Sequence, residues 1–360
     1  MLGCFVALFL SLYFVVSEIY RYFSKPPKAQ QILDIVTTNS RWKISTSNIV
    51  AVCHPDWVGV RSATEALGFD TVLSKALDGK EFMNSFVKYL KEKQTTVVVV
   101  GGWPPGAKRL FEALRSEVPV VLRVALYHGS PALHTLNAPE SNAMSELMES
   151  GITGLTDRIG LLKSSLILSF KSLGVKIFPA TNFILEHNVY SGIKYSIFDG
   201  MIHVGVFGSE NFWKNVPTQV WAACRLDKRI IVHTLETSTR QLYYQYCYNP
   251  VRYHPRATHA PFTALLSKMD VGMYVSLTEC QPMMALEYLQ AGVPVVISDT
   301  SSIFPSSSEL GSLLICSSQD KVDEISFCLN RVLEYPKEKM KVLINVFLKD
   351  FHNKGVAQLS

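Results

Sequence analysis

The chain has 360 residues, 48% of them hydrophobic and 18% charged, with a net charge of +5. That length and apolar content suffice for two domains, each with its own core, and the scattered Lys and Arg residues lack the basic stripe of a nucleic-acid binder. Seven cysteines with no Cys-x-x-Cys pair, and histidines without ligand spacing, exclude a disulfide framework and a zinc site and leave a reducing compartment as the simpler setting.

The first predicted element is a hydrophobic helix, read as an uncleaved anchor in preference to a signal peptide or a helix seated on the membrane surface. Leu2 to Val16 is uncharged and rich in Leu, Phe and Val. At about 1.5 Å per residue this run spans roughly 22 Å, so reaching across a bilayer core of about 30 Å needs the aromatic end at Tyr20 to Phe23. No basic residue precedes the run, whereas Arg21, Lys25, Lys28, Arg41 and Lys43 follow it. The positive-inside bias then places the bulk of the chain on the cytoplasmic side. The expected division is an anchor over 1–24, a linker over 25–47 opened by Lys25-Pro-Pro-Lys28, a first α/β domain over 48–182, a hinge over 183–200, a second α/β domain over 201–335, and a final helix within 336–360.

From Ile49 onward, short β-branched runs alternate with longer helical stretches, the pattern of doubly wound parallel sheets. Strands are expected at Ile49 to Cys53, Thr95 to Val100, Val120 to Leu126 and Val175 to Phe178. Helices are expected near Ser62 to Leu67, Lys80 to Lys93 and Ala107 to Glu117, with a long amphipathic one over Asp157 to Leu173. In the second half, strands are expected at Met201 to Phe207, Arg229 to Thr234, Val271 to Leu277 and Val293 to Ser298. The helices there are Pro217 to Leu226, Arg240 to Tyr248, Pro261 to Lys268, Met283 to Gln290 and Lys337 to Asp350.

The densest chemistry lies in Val275 to Thr300, VSLTECQPMMALEYLQAGVPVVISDT, where Glu279 and Glu287 stand eight positions apart between apolar strands. In a strand–loop–helix unit of an open parallel sheet, ligands bind beyond the carboxyl ends of the strands, and free amides at the helix start attract anions. Pro282, Met283 and Met284 occupy that helix start. A phosphate there would leave Glu279 and Glu287 to accept hydroxyls on either side, at roughly 1.5 to 3 kcal/mol per charged hydrogen bond. A solvated helix face beside a core strand is the reading without chemistry.

The set Glu279, Pro282, Glu287, Ala291, Gly292, Pro294, Val295 and Val296 resembles the nucleotide-sugar motif of the retaining glycosyltransferases of group 1, family 4. That resemblance implies the GT-B fold, two Rossmann-like domains facing across a cleft, and transfer of a sugar from a nucleotide-diphosphate sugar to a glycan or lipid-linked acceptor. It implies no cofactor and no metal, with Glu279 on sugar hydroxyls and Glu287 on the ribose. No Asp-x-Asp occurs, so the metal-dependent alternative fold lacks its signature.

The segment His203 to Asn215 resembles the family's first motif of the second domain. Gly208 opens its loop and Lys214 stands at the phosphate-binding lysine. Ser209 stands where most members have Arg, so either a second cation comes from elsewhere, with Arg225 and Arg240 the nearest in sequence, or phosphate neutralisation is weaker here. Thr234 follows a strand and is expected near the base and ribose, or as part of a helix cap.

In the first domain, His54 to Leu67 resembles the family's glycine loop, with Trp57, Gly59 and Arg61 on it and Val58 in place of a first glycine. Gly102, in a second loop after a strand, is expected at the cleft. His128, just past a strand, is expected at the cleft edge; the resemblance implies that it points at the donor sugar, where its proton affinity suits near-neutral chemistry, and a hydrogen-bonded loop histidine is the plain alternative. Two rivals remain: an epimerase or phosphorylase on the same fold, and a scaffold that has lost its chemistry.

Overall fold

In this computed structural model the described residues are 34–36, 48–136, 138–182, 200–236, 247–256, 259–305 and 307–357. The expected anchor over 1–24 and residues 183–199 of the expected hinge lie outside them. The membrane-anchored, cytoplasm-facing placement is corrected: among the described residues no helix is long and apolar enough to cross a membrane.

The first half is a seven-stranded sheet of order β1-β3-β2-β4-β5-β6-β7. It comprises β1 (Asp34–Val36), β2 (Ile49–Cys53), β3 (Asp70–Leu73), β4 (Val97–Gly101), β5 (Leu122–Tyr127), β6 (Arg158–Leu161) and β7 (Ile177–Pro179). All pair in parallel except β1, which runs antiparallel to β3 with Asp34 opposite Leu73. Val50, Ala51, Val52 and Cys53 are fully buried, as expected of a strand covered on both faces. Helices α1 (Val58–Glu65), α2 (Lys80–Lys93), α3 (Ala107–Glu117), α4 (Pro131–Leu136), α5 (Ala138–Ile152) and α6 (Ile167–Lys171) connect the strands.

The second half is a fully parallel six-stranded sheet of order β10-β9-β8-β11-β12-β13. Its strands are β8 (Ile202–Val206), β9 (Ile230–Leu235), β10 (Val251–His254), β11 (Val271–Tyr274), β12 (Val295–Ser298) and β13 (Ile315–Cys316). Its helices are α7 (Val216–Leu226), α8 (His259–Leu266), α9 (Met283–Gln290), α10 (Glu309–Leu314), α11 (Val322–Glu334) and α12 (Lys337–Ala357). The switch in strand order falls between β8 and β11, where an open α/β sheet leaves its crevice.

Tyr288 of α9 fills the second core. Its ring lies over the bare backbones of Gly205 and Gly272 on the adjacent strands β8 and β11: a Cβ on Gly272 would meet ring carbons at 2.7 Å. Gly272→Ala is therefore expected to cost about 1–3 kcal/mol through overpacking, seen as a lower urea midpoint with unchanged slope. Three histidines on the neighbouring strands β8, β9 and β10 form a hydrogen-bonded chain. His203 Nδ1 meets His233 Nε2 at 2.9 Å, and His233 Nδ1 meets His254 Nε2 at 2.8 Å.

The structure corrects the long helix expected over Asp157 to Leu173. The stretch is instead β6, a 3-10 turn (Ser164–Leu166) and the short α6. Ile159, Leu161 and Leu162 are all buried, and Gly160 lies so close to Leu126 and Phe178 that a Cβ would approach each at 2.6 Å, an inter-strand fit rather than a helical face. Of the expected linker, Asp34–Val36 is a strand. The helix expected at Arg240 to Tyr248 lies mostly outside the described residues, and Cys247 and Tyr248 are not helical. Helix α12 extends past its expected end, and its Met340, Ile344, Phe347, Leu348 and Phe351 join the second core.

Candidate functional site

The site begins where β8 ends. Gly208 has room for no side chain, since a Cβ there would stand 2.6 Å from Val216 Cγ2 and 3.1 Å from Lys214 Cβ. The chain then makes a 3-10 turn over Phe212–Lys214 and reverses at Asn215, whose φ of 52° is left-handed. Gln219 of α7 locks this turn: its Nε2 donates to Lys214 O at 2.7 Å and its Oε1 accepts from Val275 N at 2.8 Å. Leu277 N donates to Trp213 O at 2.8 Å. The loops after β8 and β11 are thus tied together before any side-chain chemistry enters.

Between these loops the Lys214 ammonium forms an ion pair with Glu279 Oε1. Tyr274 Oη donates to the same carboxylate oxygen at 3.2 Å, and the ammonium stands 5.2 Å from the centre of the Tyr274 ring. Lys214 and Glu279 are only 17% and 13% exposed. Burial opposes the charge on Lys214, but the oxygens of Tyr274 and Glu279 outweigh it and raise the pKa above the ordinary lysine value. Burial first, and the Glu279 charge second, push the Tyr274 phenol up as well.

Helix α9 starts after Pro282, which takes an extended conformation, and no side chain caps it. The first amides of the helix, at Met283 and Met284, are the open end of its dipole. Glu287, a turn further on, is partly buried, and burial raises its carboxyl pKa to about 7. Among the described residues no hydrogen bond or ion pair holds it.

On the first half, Gly102 adopts φ +77°, and a Cβ there would strike the Trp57 ring at 2.8 Å. That close approach seats Trp57 on the loop after β4, while its other contact is a stack on His54 at 5.2 Å. Helix α1, which carries Gly59 and Arg61, touches α9. Gly59 faces open space, with nothing within 4 Å of a Cβ built there. Arg61 is not free for a ligand in this arrangement: its guanidinium donates to Pro55 O at 2.9 Å and stands 3.8 Å from Glu65.

His128 follows β5, and its Nε2 is buried with no partner among the described residues; burial lowers its pKa to about 4. The next two residues bond the opposite half: Gly129 O accepts from Cys280 Sγ at 3.0 Å, and Ser130 Oγ bonds Thr278 Oγ1. The structure therefore brings together Lys214, Glu279, the α9 start and the loop after His128, and brings α1 against α9.

Two expectations do not survive. Thr234 is fully buried and donates its hydroxyl to Val206 O at 2.9 Å, so it ties strands together and presents nothing to a ligand. Arg225 sits at the far end of α7, paired with Asp323 at 2.8 Å, and supplies no cation beside the partly exposed Ser209; Arg240 lies outside the described residues. The cation the sequence reading missed is Lys163, from the loop after β6. Its ammonium donates to Glu279 O at 2.9 Å and also to Thr300 O. Among the described residues no group of His, Cys, Asp or Glu is placed to hold a metal ion.

No family model and no curated protein matches the chain. Solved structures do. An E. coli trehalose-6-phosphate protein bound with UDP-2-fluoro glucose is similar at 11% identity and a TM-score of 0.59, over 86% of this chain and 98% of that one. The N-terminal domain of a Candida albicans trehalose-6-phosphate phosphatase is similar at 11% identity and a TM-score of 0.59, over 89% and 98%. A UDP-forming α,α-trehalose-phosphate synthase from Burkholderia vietnamiensis is similar at 13% identity and a TM-score of 0.56, over 87% and 99%. At such identities the likeness is one of fold, and the fold of this chain is the GT-B arrangement of two Rossmann-like halves that these proteins share.

Proposed function

We propose that the chain is a retaining glycosyltransferase that moves a sugar from a nucleotide-diphosphate sugar to a hydroxyl of a glycan or lipid-linked acceptor without a metal ion. The observation that carries this reading is the half-buried Lys214–Glu279 pair on the loops after β8 and β11, the second of which leads into the uncapped start of α9. In the resting protein the two charges neutralise each other. A bound donor separates them: the diphosphate takes Lys214 and the amides of Met283 and Met284, while sugar hydroxyls take Glu279. Glu287 then accepts from the ribose.

In the reaction the bond from the anomeric carbon to the diphosphate oxygen breaks, and the acceptor oxygen bonds the same carbon on the same face. The acceptor proton passes to the departing phosphate. Lys214 and the helix amides stabilise the charge that grows on the diphosphate, the kind of preorganised electrostatics that lowers barriers most. The orphaned Nε2 of His128 is the first-half group offered to the donor sugar, and Trp57, Gly59 and Gly102 line the acceptor side. Ser209 contributes a hydroxyl where related enzymes carry a guanidinium, so phosphate affinity rests more heavily on Lys214.

The first donor to test is UDP-glucose, because a structural neighbour was solved with UDP-2-fluoro glucose. A panel of nucleotide diphosphates and their sugars is expected to contain one that stabilises the protein, by about 2.7 kcal/mol at 100 times its dissociation constant. Transfer from that donor, followed with labelled sugar in EDTA, checks the reaction. Binding without transfer or hydrolysis would instead favour a scaffold that keeps the donor site; no binding at all would overturn the reading.

A further inference from the structure

The loop that carries Glu279 is held, residue after residue, by the opposite half of the molecule. Thr278 bonds Ser130, the Glu279 carbonyl accepts from Lys163, and Cys280 donates to Gly129 O. Gln281 accepts from Asn182 N at 2.7 Å through its side chain and from Asn182 Nδ2 at 2.7 Å through its carbonyl, and its amide donates to Leu162 O and Ala180 O, each at 3.1 Å. Four consecutive residues of the second half thus take their positions from the first.

Lys163 differs from the other members of this clasp. It brings a charge, and it reaches two separate loops, the one after β11 at Glu279 and the one after β12 at Thr300. Its ammonium is directed at backbone carbonyls, while the Glu279 carboxylate is left to Lys214 and Tyr274. A carbonyl held by an ammonium fixes the peptide plane that follows Glu279, and with it the direction in which the carboxylate leaves the backbone. Charge-assisted bonds of this kind are about twice as strong as neutral ones.

We propose that Lys163 is a positioning residue of the donor site, contributed across the cleft: by holding the Glu279 and Thr300 carbonyls it aims the Glu279 carboxylate at the sugar of the donor, so that the sugar-binding part of the site is complete only when the two halves are closed. The proposal rests on the nucleotide-sugar reading for its ligand. The part of the site that receives the nucleotide, Lys214, the start of α9 and Glu287, is built within the second half alone and does not depend on Lys163.

The test compares Lys163→Met and Lys163→Arg with the parent protein in three readouts. Affinity for the nucleoside diphosphate alone is expected to stay within about twofold, while the extra affinity contributed by the sugar is lost in Lys163→Met and kcat falls about 100-fold, the scale of a displaced catalytic geometry. Lys163→Arg restores a good part of both, because the charge and reach return. Amide hydrogen exchange on the ligand-free protein is expected to quicken over Leu277–Gln281 in Lys163→Met and not elsewhere in the second sheet.

Equal losses of diphosphate and nucleotide-sugar affinity, or no recovery with arginine, would overturn a positioning role. So would exchange over Leu277–Gln281 that stays at the parent rate. If the parent binds no nucleotide-sugar, the proposed function fails, while the exchange readout still decides whether Lys163 orders the loop.

Discussion

Glu287→Gln is expected to make the ligand-free protein more stable at pH 8 and to leave it little changed at pH 5. Burial raises the Glu287 carboxyl to about 7 from an ordinary value of 4.5. A group whose pKa is higher folded than unfolded contributes stability that is fully present below the unfolded value and is lost as pH rises through the folded one. The window is therefore pH 4.5 to 7, and above it the charged carboxylate costs the fold about 3 kcal/mol at 1.36 kcal/mol per pKa unit. Glutamine has the shape of the protonated acid and no charge, so it removes this cost. Urea midpoints of both proteins at pH 5 and pH 8 check the sign. A glutamine variant less stable at pH 8 would mean that the carboxylate is already well paired. The same substitution is expected to lose most of the stabilisation by nucleotide, because a ribose hydroxyl then meets a neutral amide. A partly buried carboxylate that has no partner among the described residues and costs the fold stability is a candidate for a group retained for a ligand.

The second large effect is expected from Lys214. Lys214→Ala leaves the half-buried Glu279 carboxylate with, among the described residues, only the Tyr274 hydroxyl to satisfy it, and breaking a largely buried pair from one side costs about 3 kcal/mol. Removing both charges is a different matter. The double variant Lys214→Met, Glu279→Gln is expected to recover most of that stability, since a buried ion pair replaced by groups of similar volume is often neutral. Both variants are expected to lose nucleotide-diphosphate binding. Thermal unfolding of the single and double variants, with and without nucleotide, separates the two consequences. A double variant as unstable as the single would show that the loss comes from packing of the lysine stem rather than from the stranded charge.

The parts of the site that were legible in the sequence are those built locally. Gly208 to Lys214 and Glu279 to Glu287 each lie within one strand–loop–helix unit, so a short run of residues carries both the fold signal and the chemistry. Lys163 was not legible for two reasons. Its partners at Glu279 and Thr300 are more than a hundred positions away, and the apolar spacing from Asp157 to Leu173 fits a helix as readily as a buried strand. The only signal available was a lone lysine directly after a buried apolar run, the place where strands of this kind of sheet deliver residues to the cleft. Thr234 failed for a related reason: a polar run after a strand looks like a binding loop, but its first member still belongs to the strand and is spent on the neighbouring backbone. Short strands such as β3 and β10 were missed because their four residues mix polar and apolar side chains and show no continuous apolar run, unlike β11 and β12.

Strand β1 has a practical consequence. It lies at the rim of the first sheet and runs antiparallel to β3, so the outward amides and carbonyls of β3 are occupied. A version of the protein begun at Ile49, the first strand legible in the sequence, would bare that row, and an open strand edge is a template for pairing with other chains. A truncated protein meant to stay dispersed at high concentration should therefore keep Asp34–Val36.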